Sequence, residues 1–243
     1  LPELYVNPDD IAREISPGDP WGARIAAGRR AVGLRNACLA AKKSFAMELS
    51  AHPERVWSYF EDYVMLGDSR AVGFWYYNYL PESHVLAYFG DKIIELEEHV
   101  DDVKKMDPAT IFLCYGVNDV GIGIWPTPES YVAAFKPIIL EYRSAVPDAR
   151  IFLSSILPTQ TFAYDLNPVW EQIPDYNAAL KAMCNEMDQV YYVDNDNICR
   201  EYEYLYESDG IHVTSEFYPY WAKNLITAVF DAQVDASYAS QDG

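Results

Sequence analysis

Residues 110–119 read TIFLCYGVND, and they form the clearest strand-and-turn signal in the chain. The first six residues are apolar or β-branched and lack polar alternation, which is typical of a strand buried on both faces. Gly116 then interrupts the run, and Asn118 and Asp119 follow it. Strands of this kind occur in parallel sheets that helices cover on both sides. The stretch therefore predicts an α/β fold with polar side chains just after a central strand.

Strand-like and helix-like segments alternate on both sides of this stretch. Such alternation indicates parallel strands joined by crossover helices, and so a three-layer α/β/α sandwich around a five-stranded parallel sheet. The other strands are predicted at residues 63–66, 84–89, 150–156 and 190–193, and the helices at residues 69–80, 92–105, 128–145, 174–187 and 215–232.

The first 60 residues do not fit this alternation. Residues 1–20 are rich in Pro and Asp and are predicted to form an extended arm, whereas residues 21 to about 49 have a helical pattern. A further short helix is predicted from Pro53. We therefore expect residues 1–60 to be an N-terminal arm and helical extension packed on a main domain of residues 61–243.

Composition limits the classes of partner. The chain has 243 residues and a net charge of −19, so nucleic acid, itself a polyanion, is an unlikely ligand. No run of about 18 apolar residues occurs, and no integral membrane segment is expected. Residues 21–55 depart from the acidic balance, with seven of the eighteen Lys and Arg. Two interpretations of that stretch stay open: a solvated basic helix, or a helix that faces an anionic surface such as a cell wall or lipid.

The four cysteines have neither disulfide-framework nor zinc spacing and do not reveal the compartment. The chain begins at Leu1 without Met and without an apolar signal core, which we interpret as a trimmed N-terminus. We therefore expect a secreted or cell-surface protein that has lost its signal or anchor, and a cytoplasmic location stays open.

Three polar segments follow predicted strands and a fourth precedes the final helix, all at the edge where ligands bind in open α/β sheets. They are GDSR (residues 67–70), GD (90–91), GVND (116–119) and DGIH (209–212). Together they supply an acyl-transfer site: Ser69 as nucleophile, His212 as its base and Asp209 to orient the imidazole. The backbone N–H groups of Ser69 and Gly90 and the Asn118 amide are candidate donors to an oxyanion.

In order and position, these four segments resemble the four sequence blocks of the SGNH (GDSL-type) hydrolase superfamily, over about residues 63–230. The resemblance implies a flavodoxin-like fold and ester hydrolysis without a metal or other cofactor. The family usually has an apolar residue after the serine, and here Arg70 stands there. Arg70 could bind an anionic group of the substrate or pair with an acid of the chain, and we favour the internal pair. Asp68 and Asp119 are expected to brace their turns.

Aromatic residues in the segments after two strands could wall a substrate pocket. Trp125, Tyr164 and Trp170 are the candidates for substrate binding. Because no apolar run suggests a lipase lid, we favour a short acyl group, such as acetyl on a carbohydrate or cell-wall ester. The alternatives are a lysophospholipase or thioesterase, an acyltransferase, and a catalytically silent binding module. The acidic residues 194–207 are interpreted as a solvated loop, so no metal site is expected.

Overall fold

The computed structural model describes residues 4–6, 8–18, 30, 34, 45–47 and 62–239. The chain divides into two compact units, one made of Leu1–Glu61 with Val229–Gly243 and the other of Asp62–Ala228. The expectation that residues 1–60 pack on the main domain stays a prediction. No helix of the described residues is long and apolar enough to cross a bilayer.

The N-terminal segment corrects two predictions. Strand β1 (Leu4–Val6) pairs in parallel with β2 (Phe45–Met47), so the predicted helix was wrong at its C-terminal end. The predicted extended arm contains helix α1 (Pro8–Ile15). Its proline occupies the first helical position, where a missing N–H costs nothing. Arg30 and Leu34 are helical as predicted, and residues 19–29, 31–33, 35–44 and 48–61 lie outside the described residues.

A five-stranded, fully parallel sheet forms the centre of the larger unit, as predicted. Its strand order is β4-β3-β5-β6-β7, the flavodoxin-like order with β3 and β5 at the switch point. All residues of β3 and β5 are buried, which explains their unbroken apolar pattern. The strands are β3 (Tyr63–Gly67), β4 (Val85–Ala87), β5 (Thr110–Cys114), β6 (Arg150–Ser154) and β7 (Val190–Val193).

Helices join these strands, mostly where the sequence predicts them. The region predicted as one helix at residues 92–105 begins instead as a 3₁₀ turn, Ile93–His99, and two short helices after β5 and β7 were not predicted. The helices are α2 (Ser69–Tyr76), α3 (Val100–Met106), α4 (Val117–Ile122), α5 (Pro128–Ala145), α6 (Ile173–Cys184), α7 (Asp196–Glu201) and α8 (Tyr218–Ala239).

Helices pack on both faces of the sheet and give the three-layer sandwich. On one face, alternate strand residues join α3, α5 and α6 in a single buried cluster. On the other, Phe74 of α2 packs against Tyr218 and Trp221 of α8, with ring centroids 4.9 and 5.0 Å apart. The Trp221 indole also donates to Ser154 Oγ of β6 at 3.3 Å. Because β3 pairs in parallel with both β4 and β5, the carboxyl ends of these three strands meet at one edge of the sheet.

Candidate active site

The nucleophile turn is built by close packing at the end of β3. A Cβ on Gly67 would lie 2.2 Å from the Ala71 Cβ and 2.9 Å from the carbonyl oxygen of Cys114, so only glycine fits. Asp68 then caps α2, because its Oδ1 accepts from the Arg70 N–H at 3.0 Å. The result is that Ser69 lies on the first turn of the helix, half-buried, at the carboxyl edge of the sheet.

Ser69, His212 and Asp209 come together as one hydrogen-bonded line. The Ser69 Oγ is 3.0 Å from His212 Nε2, and His212 Nδ1 is 2.6 Å from Asp209 Oδ2. The proton of the imidazole belongs on Nδ1, because that nitrogen faces a carboxylate, which accepts only. Nε2 is then free to accept the Ser69 hydroxyl proton. This is the arrangement that general-base activation of a serine requires.

Asp209 also organises the turn that carries the base. Its Oδ1 accepts from the backbone N–H groups of Ile211 at 2.8 Å and His212 at 2.9 Å. Burial alone would raise the pKa of this carboxyl, but the hydrogen bonds from the His212 ring and the two amides outweigh it and lower the pKa. The side chains of His212 and Asp209 are 42% and 41% exposed, so this half of the site is open to solvent.

Another serine–histidine contact lies at the surface. Ser83 Oγ is 3.1 Å from His84 Nδ1 in the exposed 3₁₀ turn before β4. Neither of its residues follows the carboxyl end of a sheet strand. Among the described residues, no acid forms an ion pair with His84, whereas Asp209 pairs with His212.

Gly90 lies in the loop after β4, where the sequence predicts an oxyanion donor. Its φ is +83°, a conformation that L side chains rarely adopt, and a Cβ there would meet nothing within 4 Å. The backbone conformation therefore favours glycine at this position. The space beside it is open.

Asn118 lies on the first turn of α4, after β5, and ties this loop to its own turn. Its Nδ2 donates to the carbonyl oxygen of Asp91 at 2.9 Å, one residue beyond Gly90. A side-chain amide carries two N–H hydrogens, so one remains for a substrate oxygen. The structure therefore links Gly90 and Asn118, the two predicted oxyanion donors that lie outside the nucleophile turn.

Asp119 braces its turn, as the sequence predicts, but through distant partners. Its Oδ1 accepts from the Ile93 backbone N–H and from the Trp125 indole N–H, both at 3.2 Å. Trp170 braces the same turn by donating to the carbonyl oxygen of Val117 at 3.1 Å. The indole N–H groups of both tryptophans are thus engaged within the protein. A role for their ring faces in substrate binding stays a prediction.

Burial favours an internal role for Arg70 over a substrate-binding one. The residue is only 2% exposed, and its Nη1 donates to the carbonyl oxygen of Leu157. Its Nε and Nη2 have no partner among the described residues, and Arg70 and Asp68 both line a small cavity of about 10 Å³. Burial raises the pKa of Asp68, and the positive charge of Arg70 opposes that rise. Arg70 is therefore an internal residue, although no ion pair joins it to an acid within the described part of the chain.

Two exposed phenylalanines lie near the site: Phe162, which belongs to an aromatic segment that the sequence predicts to wall the pocket, and Phe89, which the sequence did not single out. Phe162 is 53% exposed, and a Cβ on Gly210, within the acid–base turn, would lie 2.7 Å from its ring. Phe89 is 74% exposed and directly precedes Gly90. Tyr164, the predicted aromatic of the same segment as Phe162, is half-buried. For Phe89, proximity to Gly90 was the only signal in the sequence, because exposure cannot be read from residue type.

With the fold and the site in view, comparison with known proteins decides the family. The model of the GDSL-like lipase/acylhydrolase family matches residues 65–218, which include all four sequence blocks. The chain belongs to this family. No curated protein matches the GDSL-like chain in sequence.

Solved structures similar to this GDSL-like chain share its fold at low sequence identity. A GDSL-like lipase from Bacteroides thetaiotaomicron is 16% identical, with a TM-score of 0.54 over 72% of this chain and 87% of that one. The C-terminal catalytic domain of Streptococcus pneumoniae peptidoglycan O-acetyltransferase A is 18% identical, with a TM-score of 0.52 over 72% and 96%. An acetylxylan esterase from Geobacillus stearothermophilus, solved as a catalytic mutant, is 16% identical, with a TM-score of 0.52 over 70% and 94%.

Proposed function

We propose that the protein is a serine ester hydrolase that removes short acyl groups, acetyl above all, from a carbohydrate or cell-wall ester. The observation that carries the proposal is the unbroken line from Ser69 Oγ through His212 to Asp209, with contacts of 3.0 and 2.6 Å. A hydroxyl becomes a nucleophile when an oriented base takes its proton, and this line supplies both the base and its orientation.

In the first half of the reaction, Ser69 Oγ attacks the ester carbonyl carbon and its proton passes to His212 Nε2. The carbonyl oxygen becomes an oxyanion, which the N–H groups of Ser69 and Gly90 and the Asn118 amide stabilise. The tetrahedral intermediate collapses, and the leaving alcohol takes the proton from His212. The products are the free alcohol and an acyl group esterified to Ser69.

In the second half, a water molecule gives a proton to His212 Nε2 as its oxygen attacks the acyl carbon. The intermediate then releases the carboxylic acid, and the proton returns to Ser69 Oγ. Asp209 stays ionised throughout and stabilises the imidazolium that forms in each half. Its lowered pKa suits that role.

The preference for an acylated carbohydrate rests on the surroundings of the line. Phe162 and Phe89 expose flat apolar rings next to the acid–base turn and next to Gly90, and such rings suit the faces of sugars. The structural neighbours include an acetylxylan esterase and a peptidoglycan O-acetyltransferase. A substrate of this kind lies outside the cytoplasm, so we also propose a secreted or cell-surface location, which fractionation of the producing cells tests.

The test compares acetyl with octanoyl aryl esters and then measures acetate release from acetylated xylan and O-acetylated peptidoglycan. We expect acetyl to be preferred and at least one polymer to be deacetylated. A strong octanoyl preference would favour a lysophospholipase or thioesterase. Failure of every ester, together with failure of a serine-directed phosphonate to label Ser69, would leave a binding module. Transfer of acetyl to an added sugar in place of water would reveal an acyltransferase.

A further inference from the structure

Asp119 is a fully buried carboxylate that connects three separate segments of the chain. It lies on α4 with 0% exposure, and its Oδ1 holds the Ile93 N–H and the Trp125 indole N–H at 3.2 Å each. Its Oδ2 has no hydrogen-bond partner among the described residues. The triad chemistry does not use this carboxylate, so another contribution must explain its position.

One donor and one acceptor of this turn hold one loop at two points, and this pair of hydrogen bonds is the grip on the loop. Asn118 donates to the carbonyl oxygen of Asp91 at 2.9 Å, and Asp119 accepts from Ile93 at 3.2 Å. Gly90, the predicted backbone donor to the oxyanion, immediately precedes this gripped segment. Because the two hydrogen bonds attach at Asp91 and Ile93, two residues apart, they fix both the distance and the angle of the loop relative to α4. A single bond from Asn118 would leave the loop free to pivot about Asp91.

The burial of the Asp119 carboxylate has an energetic cost. Burial raises the pKa of the Asp119 carboxyl to about 7, and the hydrogen bonds from Ile93 and Trp125 offset the burial only in part. A buried acid with one unpartnered oxygen destabilises a protein relative to an apolar residue of similar size. Groups of this kind concentrate at functional sites.

We propose that Asp119 is a positioning residue that holds the Gly90 loop and the Asn118 turn in register, so that their donors converge on one oxyanion. It acts through Ile93 and Trp125 and does not touch the substrate. The kinetic consequence of this proposal rests on the proposed function. The two hydrogen bonds to the loop do not, because they are a property of the folded chain. Donors misplaced by about 1 Å lose on the order of 10² in rate.

The kinetic test compares Asp119→Ala with Asp119→Asn, which keeps an acceptor oxygen. We expect Asp119→Ala to lower kcat about 10- to 100-fold with KM changed less than about threefold. Asp119→Asn should recover most of kcat. The rate at which a phosphonate labels Ser69 should fall in parallel with kcat, because the phosphonyl oxygen occupies the same donors. Asp101→Ala, at an exposed acid of α3, is the matched control and should behave as the wild type.

A second measurement tests the grip independently of ester hydrolysis. Hydrogen exchange followed by NMR should show the Ile93 amide and the Trp125 indole N–H protected in the wild type and in Asp119→Asn. Protection in a protein that hydrolyses no ester would reject the proposed function and keep the grip. Unprotected N–H groups, or a folded Asp119→Ala protein with unchanged kcat, would overturn the proposal. So would an Asp119→Asn protein as impaired as Asp119→Ala.

Discussion

The two sides of Ser69 are built in different ways. On the acid–base side, Asp209 and His212 are three residues apart, and one turn supplies the carboxylate, the imidazole and the amides that orient them. On the oxyanion side, Asn118 and Asp119 reach partners 27 and 26 residues away in the sequence. The first side is a local motif, and the second exists only after two strands have paired with β3.

The two sides also differ in hydration and in hydrogen bonding: burial raises the pKa of the Asp119 carboxyl, whereas at Asp209 the hydrogen bonds from His212 and Ile211 outweigh burial and lower the pKa. Asp209 is 41% exposed and ends with a lowered pKa, whereas Asp119 is fully buried and has a pKa raised to about 7. The Asp209 carboxylate, which must stay charged, is thus solvated and hydrogen-bonded. The Asp119 carboxylate, which is proposed to hold loops in position, is shielded from solvent. Position within this site, more than residue type, therefore determines what an aspartate does.

The largest loss of kcat should come from removal of the nucleophile or its base. Ser69→Ala should lower kcat by about 10⁴-fold or more, and His212→Ala by a similar factor, because a nucleophile and its base act as a unit. The double variant should lose little beyond either single one. Ser83→Ala removes the surface serine–histidine contact and is the control. A Ser69→Ala protein that keeps substantial activity, or a Ser83→Ala protein that loses it, would contradict the assignment.

Removal of an oxyanion donor should lower kcat less than removal of the nucleophile or its base. Asn118→Ala should lower kcat by about 10²–10³ with little change in KM, as expected when a donor to the transition state is removed. Asn167→Ala is the matched control, because the Asn167 amide also donates to a backbone carbonyl, that of Gly121, without a predicted catalytic role. A normal kcat with a raised KM would mean that Asn118 binds the ground state of the substrate.

The effect of Arg70→Ala should appear in stability and leave selectivity alone. The change leaves Asp68 buried without its neighbouring positive charge and opens a cavity, so the free energy of unfolding should fall by about 2–4 kcal/mol. Urea titration measures the loss, with the exposed Arg200→Ala as control. The ratio of rates on anionic and neutral esters should not change. A changed ratio at unchanged stability would restore a substrate role for Arg70.

The smallest effect is a difference in pH dependence between the two carboxylates. Because the pKa of Asp119 is raised, the folded state keeps its proton between about pH 4 and 7 when the unfolded state has lost it, so its stability contribution falls as pH rises through that window. The lowered pKa of Asp209 has the opposite sign: its contribution is present above the unfolded value and is lost as pH falls through the folded one.

Thermal unfolding of the wild type, Asp119→Asn and Asp209→Asn from pH 3 to 8 measures both contributions. Relative to Asp119→Asn, the wild type should lose stability as pH rises, with a slope no steeper than about 1.4 kcal/mol per pH unit, that of one proton. Relative to Asp209→Asn, it should gain stability as pH rises from acid. Parallel curves for all three proteins would show that neither carboxyl is shifted.

Sequence predicts this fold well because the central strands are buried on both faces and leave unbroken apolar runs, such as residues 110–114. It also predicts the acid–base turn, whose bonds span three residues. Prediction failed where the decisive contacts were distant or the pattern was ambiguous. Three features depend on segments that meet only in the folded chain. They are the burial of Arg70, the hydrogen bond from Ile93 to Asp119 and the pairing of Leu4–Val6 with Phe45–Met47.

The exposure of the acid–base side affects how an acyl-enzyme would partition between water and an acceptor alcohol. Since about two fifths of the His212 side chain is exposed (42%), bulk water reaches the base that would activate the second nucleophile. Any acceptor alcohol then competes with solvent during the whole lifetime of the acyl group on Ser69. Degradation of an ester needs nothing more than this. Synthesis would need a lowered water activity, or a bound acceptor whose own surface covers His212.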